Sequence, residues 1–486
     1  MLKLKLFLVL ILLPLLWSCI DENPTQVQNP LPQIEIISPE AGSQYTRGDS
    51  IHIISRIEDP DGLIRSVKIV VDNTEIHSES DGSVDFVWET SGATTGNRVI
   101  KIIAEDFVNQ TYSNEVAVRI KYSYKQPVDI PGFMESVSFD EAGMDSTLLI
   151  NLMNQLSVKE DHLMHGIVIA RNGKLIFEEY FSGYRRDDQQ NLVAFNREVL
   201  HDLASVTKSV TSALMGLAIK EEFIEDEFVK VNQYFNEGGW EAGDPRNEIT
   251  LQNMITMSSG IQWDENSLPP LDPNNDLILF ATDPHPWEFY LSRPLQHTPG
   301  TTMEYSEASI CVIGEAIARA SGIRLDVFAD QYLFNELDIA NRFWNVKPNN
   351  WVWASGDLFL RPIDMLKIGQ LYLQNGQWKG NQLIPEEWID KAKIKYHNFI
   401  GSSDWAQQYW YNTYRQVGYS YAWWPLDPSI YGPDAFCASG WGDQRIVVIP
   451  QYNMVVILTG GSQWSQPYLT SHQIMSQYIL PSINGY

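Results

Sequence analysis

Strand-like runs stand at both ends of residues 144–486, with helical periodicity between them, and this placement restricts the fold more than any other feature. Near the start, Gly166-Ile167-Val168-Ile169-Ala170-Arg171 and Lys174-Leu175-Ile176-Phe177-Glu178-Glu179-Tyr180 flank Asn172-Gly173. Asn-Gly between apolar runs signals a hairpin, because both residues tolerate the positive φ of a type I′ turn. Near the end, Arg445-Ile446-Val447-Val448-Ile449 and Met454-Val455-Val456-Ile457-Leu458 form a second pair, followed by a helix from about Tyr468. Met144 to Leu156 reads as a helix, and residues 205–395 as mostly helical with loops. Apolar strands this far apart bury their faces most economically by sharing one sheet. The pattern predicts an α/β fold: an antiparallel sheet closed by both ends of the segment, flanked by helices, with an inserted helical lobe.

A different pattern precedes it. Ile34-Glu35-Ile36-Ile37, Ile51-His52-Ile53-Ile54, Val67-Lys68-Ile69-Val70-Val71, Phe86-Val87-Trp88, Val99-Ile100-Lys101-Ile102-Ile103 and Val116-Ala117-Val118-Arg119-Ile120 are short alternating runs separated by turn signals. They predict an antiparallel β-sandwich over residues 33–122. The stretch resembles bacterial immunoglobulin-like modules. It lacks an internal Cys pair, so its core must hold without a disulfide. Lacking an obvious aromatic platform, it reads as a spacer more readily than as a gripping module, and Asp59 and Asp61 read as turn residues rather than calcium ligands. Residues 123–143, with Pro127 and Pro131, read as a linker. A chain of 486 residues exceeds one ordinary core, in keeping with several domains.

The first residues read as an address. Lys3 and Lys5 precede an apolar run from Leu6 to Trp17. The run is short of the roughly 20 residues a membrane span needs, so residues 1–18 read as a secretory signal. Leu16-Trp17-Ser18-Cys19 resembles the bacterial lipobox. That resemblance implies lipidation of Cys19, a tether over residues 19–32, and a lipoprotein exported and membrane-anchored on the periplasmic or cell-surface side. Cys311 and Cys437 are expected to be buried thiols. With 34 Lys+Arg against 61 Asp+Glu the formal net charge is -27, which repels phosphate backbones and argues against a nucleic-acid partner.

Chemistry enters with Ser205-Val206-Thr207-Lys208, which opens a helix with Val210, Leu214, Leu217 and Ala218 on its buried side. Residues three apart share a helix face, so Lys208 reaches the Ser205 hydroxyl, and the helix N-terminus favours developing negative charge there. Two further segments follow: Pro299-Gly300-Thr301-Thr302-Met303-Glu304-Tyr305-Ser306-Glu307 and Cys437-Ala438-Ser439-Gly440-Trp441-Gly442-Asp443-Gln444-Arg445. Together with Met257-Ser258-Ser259-Gly260 and Ser355-Gly356-Asp357-Leu358, they make residues 144–486 resemble the serine β-lactamase-like hydrolases, in the branch of class C β-lactamases, esterases and 6-aminohexanoate-dimer hydrolases. The resemblance implies Ser205 as nucleophile, Lys208 as its activator and Tyr305 as proton shuttle. It implies an oxyanion hole from the backbone N–H groups of Ser205 and Trp441, and substrate contacts from Ser439, Gly440 and position 307. It implies no cofactor, and no metal-binding or phosphate-loop motif stands at a convincing spacing.

Two departures bear on the substrate. Glu307 stands where the family usually has Asn, and a carboxylate there favours the ammonium form of Lys208, leaving open Lys208 or Tyr305 as the principal base and a Glu307 that turns away to pair elsewhere, for instance with an arginine. Ala438 stands where penicillin-recognising members carry Lys or His, with Arg445 a possible substitute. The expectation is a small neutral or cationic ester, amide or peptide substrate, with weak or no β-lactamase activity. The alternatives are a non-catalytic surface-binding or sensor protein with Glu307 as its lesion, and a penicillin-binding DD-peptidase. Of the aromatic residues between Trp405 and Trp424, Trp423 and Trp424 are left open between core packing and an acyl pocket shared with Trp441. Packing is expected for the rest. A structural role is expected for His165 and His201.

Overall fold

The computed structural model describes residues 32–486 apart from 61–63, 81, 94, 160–161, 187, 270, 403 and 462–466. The signal segment, Cys19, nearly all of the tether and Asp61 therefore lie outside the described residues. The chain divides into two compact units, with the boundary between Lys121 and Tyr122.

In the first unit, alternating apolar residues fold into eight strands: β1 (Gln33–Ser38), β2 (Gln44–Thr46), β3 (Ser50–Glu58), β4 (Ile64–Val71), β5 (Thr74–Glu79), β6 (Ser83–Glu89), β7 (Gly96–Asp106) and β8 (Thr111–Lys121). They form two sheets, ordered β1-β3-β6 and β2-β8-β7-β4-β5. The inward positions Ile51, Ile53, Ile69, Ile100, Ile102 and Ile120 are fully buried. At roughly 1.5–3 kcal/mol for each buried aliphatic side chain, such a core replaces the missing disulfide. The sequence pattern missed β2 and β5. Both are polar sheet-edge strands with no buried residue, so they carry no hydrophobic alternation.

The second unit, Tyr122–Tyr486, carries the sheet expected from its two ends. Its strands are β9 (Met164–Arg171), β10 (Lys174–Tyr180), β11 (Trp424–Pro425), β12 (Phe436–Gly440), β13 (Gln444–Ile449) and β14 (Met454–Gly460), in the order β10-β9-β14-β13-β12-β11. Asn172 and Gly173 turn the first hairpin at φ of 54° and 69°. The closing contact is antiparallel β14 on β9, with Val456 opposite Ile169 and Ile457 opposite Val168. Both strands are apolar on both faces because helices cover them.

The principal helices are α1 (Thr147–Leu156), α2 (Val206–Lys220), α3 (Glu307–Ser321), α4 (Pro362–Leu373) and α5 (Trp405–Tyr414). Helix α2 is buried on every side from Val206 to Ala218, as a central helix must be. Helix α4 lies close on β13 and β14: a Cβ at Gly369 would meet Val455 Cγ1 at 2.5 Å and Ile446 Cγ2 at 2.9 Å. The segment 123–143, expected as a linker, is part of this unit. Ile130, Met134, Phe139 and Ala142 are buried in its core, so the prolines shape a packed strap.

Candidate active site

Three chain segments meet at the N-terminus of α2. Ser205 is its N-cap. Ala204 precedes it at φ 46°, with its N–H bonded to Asp202 Oδ1 at 2.9 Å. Lys208, one turn on, is 2% exposed. Its Nζ donates to Ser205 Oγ at 2.8 Å, to Glu307 Oε1 at 2.5 Å and to the Ser355 carbonyl at 2.9 Å. Three acceptors match the three donors of an ammonium. The Ser205 hydroxyl lies 3.4 Å from the same Glu307 oxygen. Glu307 opens α3, where the segment after Tyr305 turns into the helix with Ser306 as N-cap.

Tyr305 reaches the same point. Its ring centroid is 5.2 Å from Lys208 Nζ, and its hydroxyl interacts with Ser205. Burial, reinforced by the negative charges of Glu307 and Glu265, holds the phenol far above its ordinary range, outweighing the opposing effect of Ser205. Tyr305 is therefore a phenol at rest, able to donate a proton.

Strand β12 forms the opposite wall. A Cβ at Gly440 would meet the Leu203 carbonyl at 2.4 Å and the Ser205 nitrogen at 3.2 Å, so a glycine is what lets the strand approach Ser205. Trp441 follows directly, and Ser439, Gly440 and Trp441 line the same cavity as Ser205, Tyr305 and Glu307. That cavity is about 730 Å³, within the size range of small-molecule sites. Trp424 stacks on Tyr305 with centroids 6.0 Å apart, and Trp410 stands 5.6 Å from the same ring.

The model for the β-lactamase family matches residues 159–463, and that for the bacterial Ig domain residues 32–102. This chain belongs to the β-lactamase family. As a β-lactamase-family chain it has the fold of a putative 6-aminohexanoate-dimer hydrolase from Bacillus anthracis (20% identity, TM-score 0.55, covering 74% of this chain and 88% of that one). A putative β-lactamase from Bacteroides dorei is similar at 16% identity, TM-score 0.52, with 70% and 99% covered. A β-lactamase/D-alanine carboxypeptidase from Yersinia pestis is similar at 16% identity, TM-score 0.50, with 67% and 93% covered.

Within this β-lactamase-family fold, several expectations change. Tyr409, Trp410 and Tyr414 of α5 line the cavity rather than only packing. Their spacing put them on one helix, but which face meets the cavity depends on how that helix docks. Trp423 is fully buried against Tyr372 and Phe436, whereas Trp424 walls the cavity. Arg445, considered as a substrate cation, is committed elsewhere. It donates to the Gly440 and Gln444 carbonyls at 2.9 and 2.8 Å and pairs with Asp443 at 2.9 Å, which fixes the turn after β12. Cys311 and Cys437 are free and buried.

His165 and His201 form a buried pair, Nδ1 to Nε2 at 2.8 Å. His201 Nδ1 donates to the Asp202 carbonyl at 3.0 Å, so its Nε2 is the acceptor for His165. Burial pushes His165 down to about 2 and His201 down to about 4. Both are neutral supports of the segment leading to Ser205.

Two contributors escaped the sequence reading. The Ser355 carbonyl holds Lys208, from a segment identified only by its motif. Glu265 lies beside Glu307, accepting the Glu307 N–H at 2.9 Å and the Trp263 indole at 2.7 Å. Its one sequence signal is its position shortly after Met257-Ser258-Ser259-Gly260.

Proposed function

We propose that this protein is an exported serine hydrolase that cleaves a neutral or cationic ester or amide through an acyl-enzyme on Ser205. The observation that carries the reading is the convergence on one hydroxyl: Lys208 Nζ at 2.8 Å, Glu307 Oε1 at 3.4 Å and the Tyr305 phenol around Ser205 Oγ. In the proposed reaction the Ser205 proton passes to the Lys208–Glu307 pair as Oγ bonds to the substrate carbonyl carbon. The backbone N–H groups of Ser205 and Trp441 take the oxyanion. Tyr305 protonates the leaving group as it departs and recovers its proton from the pair. Water then repeats the sequence on the acyl-enzyme in reverse and restores the Ser205 hydroxyl. The pair serves as base and Tyr305 as acid, because burial keeps the phenol protonated at rest.

Charge favours a substrate that is not an anion. The cavity cations are already paired: Arg186 with Asp202 and Asp357, Lys347 with Asp357, Arg445 with Asp443 and Lys208 with Glu307. Holding a substrate carboxylate would mean breaking one of these pairs, which supports weak or absent β-lactamase and DD-peptidase activity.

Ser205→Ala is expected to abolish both release of nitrophenol from short acyl esters and covalent labelling by a fluorophosphonate. Labelling that persists in the variant moves the nucleophile elsewhere. A wild-type protein that binds but never turns over points to the surface-binding alternative. Ordinary nitrocefin turnover refutes the substrate assignment. The inferred anchor is read by fractionation: Cys19→Ser should release the protein from membranes.

A further inference from the structure

We propose that Arg186 is a positioning residue for the reaction: by bridging Asp202 and Asp357 it holds the backbone turn at Ala204, and through that turn it aims the Ser205 N–H and hydroxyl. The inference rests on the hydrolase reading above.

The turn needs holding. Ala204 sits at φ 46°, in the left-handed region that a residue with a side chain keeps only where its surroundings impose it. Two bonds impose it here: the Ala204 N–H donates to Asp202 Oδ1 at 2.9 Å, and the Leu203 N–H donates to the Leu358 carbonyl at 2.9 Å. Arg186 takes the other oxygen of Asp202, with Nε 2.5 Å from Oδ2, and its Nη2 reaches Asp357 Oδ1 at 3.2 Å. Asp357 is also left-handed, at φ 58°, and lies two residues after the Ser355 carbonyl that holds Lys208. One planar fork therefore joins the turn that carries the serine to the turn that holds its lysine. Lys347 Nζ at 3.3 Å and Asn345 Nδ2 at 3.1 Å take the second oxygen of Asp357, which anchors the far end of the bridge. Arg186, Ala204 and Asp357 all border the reaction cavity.

The Ser205 N–H, one of the two donors assigned to the oxyanion, belongs to the peptide between Ala204 and Ser205. That peptide is a rigid plane, so the donor swings with the Ala204 backbone. The Asp202 side chain is 10% exposed. A carboxylate so buried that loses its guanidinium partner shifts to regain stabilisation, and the Ala204 N–H then loses a fixed acceptor. Arg186 thus acts on the rate of acylation through Asp202 and Ala204 rather than on the affinity for substrate.

The test uses the full chain with Arg186→Ala and Arg186→Lys. Arg186→Ala should lower kcat on a nitrophenyl ester by about 10²-fold, the cost of a small misplacement of reacting groups, and slow fluorophosphonate labelling in parallel. KM should stay within about threefold of wild type, since the lost interaction is one made in the transition state. Methylguanidinium should recover part of the alanine variant's rate and leave wild type unaffected, because the free cation refills the gap between the two aspartates. Arg186→Lys keeps the charge without the fork and should fall between alanine and wild type; the same readings on it decide the matter if the alanine variant does not fold. Amide hydrogen exchange over residues 202–207 needs no turnover: it should quicken in Arg186→Ala and slow again with methylguanidinium. A rise in KM at unchanged kcat would make Arg186 a substrate contact and overturn the proposal, as would unchanged exchange or a rate loss that methylguanidinium does not relieve. A wild type that neither turns over nor labels overturns the hydrolase reading instead, and the exchange measurement still scores the bridge.

Discussion

At the residue scale the central fact is the Lys208–Glu307 pair. An ammonium that is 2% exposed must be charge-balanced or lose its charge, and Glu307 Oε1 at 2.5 Å balances it while also facing the Ser205 hydroxyl. Replacing one member of a buried pair typically costs about 3–5 kcal/mol, and losing a general base costs about 10²–10⁴ in rate. Glu307→Gln should therefore lower kcat by about two orders of magnitude or more, with a smaller change in KM and a lower melting temperature. The opposite result, faster turnover, would mark Glu307 as an inhibitory lesion, and steady-state kinetics with thermal unfolding separates the two. Ser205, Lys208 and Tyr305 were legible because their motifs fix their types and spacing. Glu265 was not, because 42 residues separate it from Glu307 and only the docking of α3 brings them together.

At the element scale the site depends on how closely β12 approaches the start of α2. Gly440 is the close point, where an added Cβ would stand 2.4 Å from the Leu203 carbonyl. A backbone neighbour cannot swing aside as a side-chain tip does, so Gly440→Ala must move the strand or the loop. The expected result is a loss of about 10²–10³ in kcat, the cost of one oxyanion donor, with slower fluorophosphonate labelling. Ser439→Ala, one position earlier, should change labelling far less. If Gly440→Ala labels at the wild-type rate, the strand is not part of the oxyanion site. The hairpins of this sheet were legible because short continuous apolar runs and the turn residues Asn172-Gly173 specify pairing locally. The roles of Tyr409, Trp410 and Tyr414 were not, because an aromatic helix looks alike whether it faces a core or a cavity.

At the scale of the whole molecule, the two units have separate hydrophobic cores. A fragment of residues 122–486 should fold and hydrolyse ester with kcat/KM within about threefold of the full chain, since domains with their own cores fold as units. A fragment of residues 144–486 should not, because it loses Ile130, Met134, Phe139 and Ala142 from the core. Removing several buried apolar side chains at roughly 1.5–3 kcal/mol each consumes most of a domain's net stability of about 5–15 kcal/mol. Circular dichroism melting and ester turnover of the two fragments check this. Equal stability would show the strap to be dispensable.

Periodicity, turn residues and motif spacing act over a few residues, so the sequence by itself determined the β-sandwich, the sheet joined from both ends of the second unit, and the candidate serine, lysine and tyrosine that the structure brings together. Which carboxylate faces Lys208, which cations are spent on aspartates, and which tryptophan meets the cavity were decided by the tertiary structure. Charge and burial depend on distance through space, and only the docked helices set those distances.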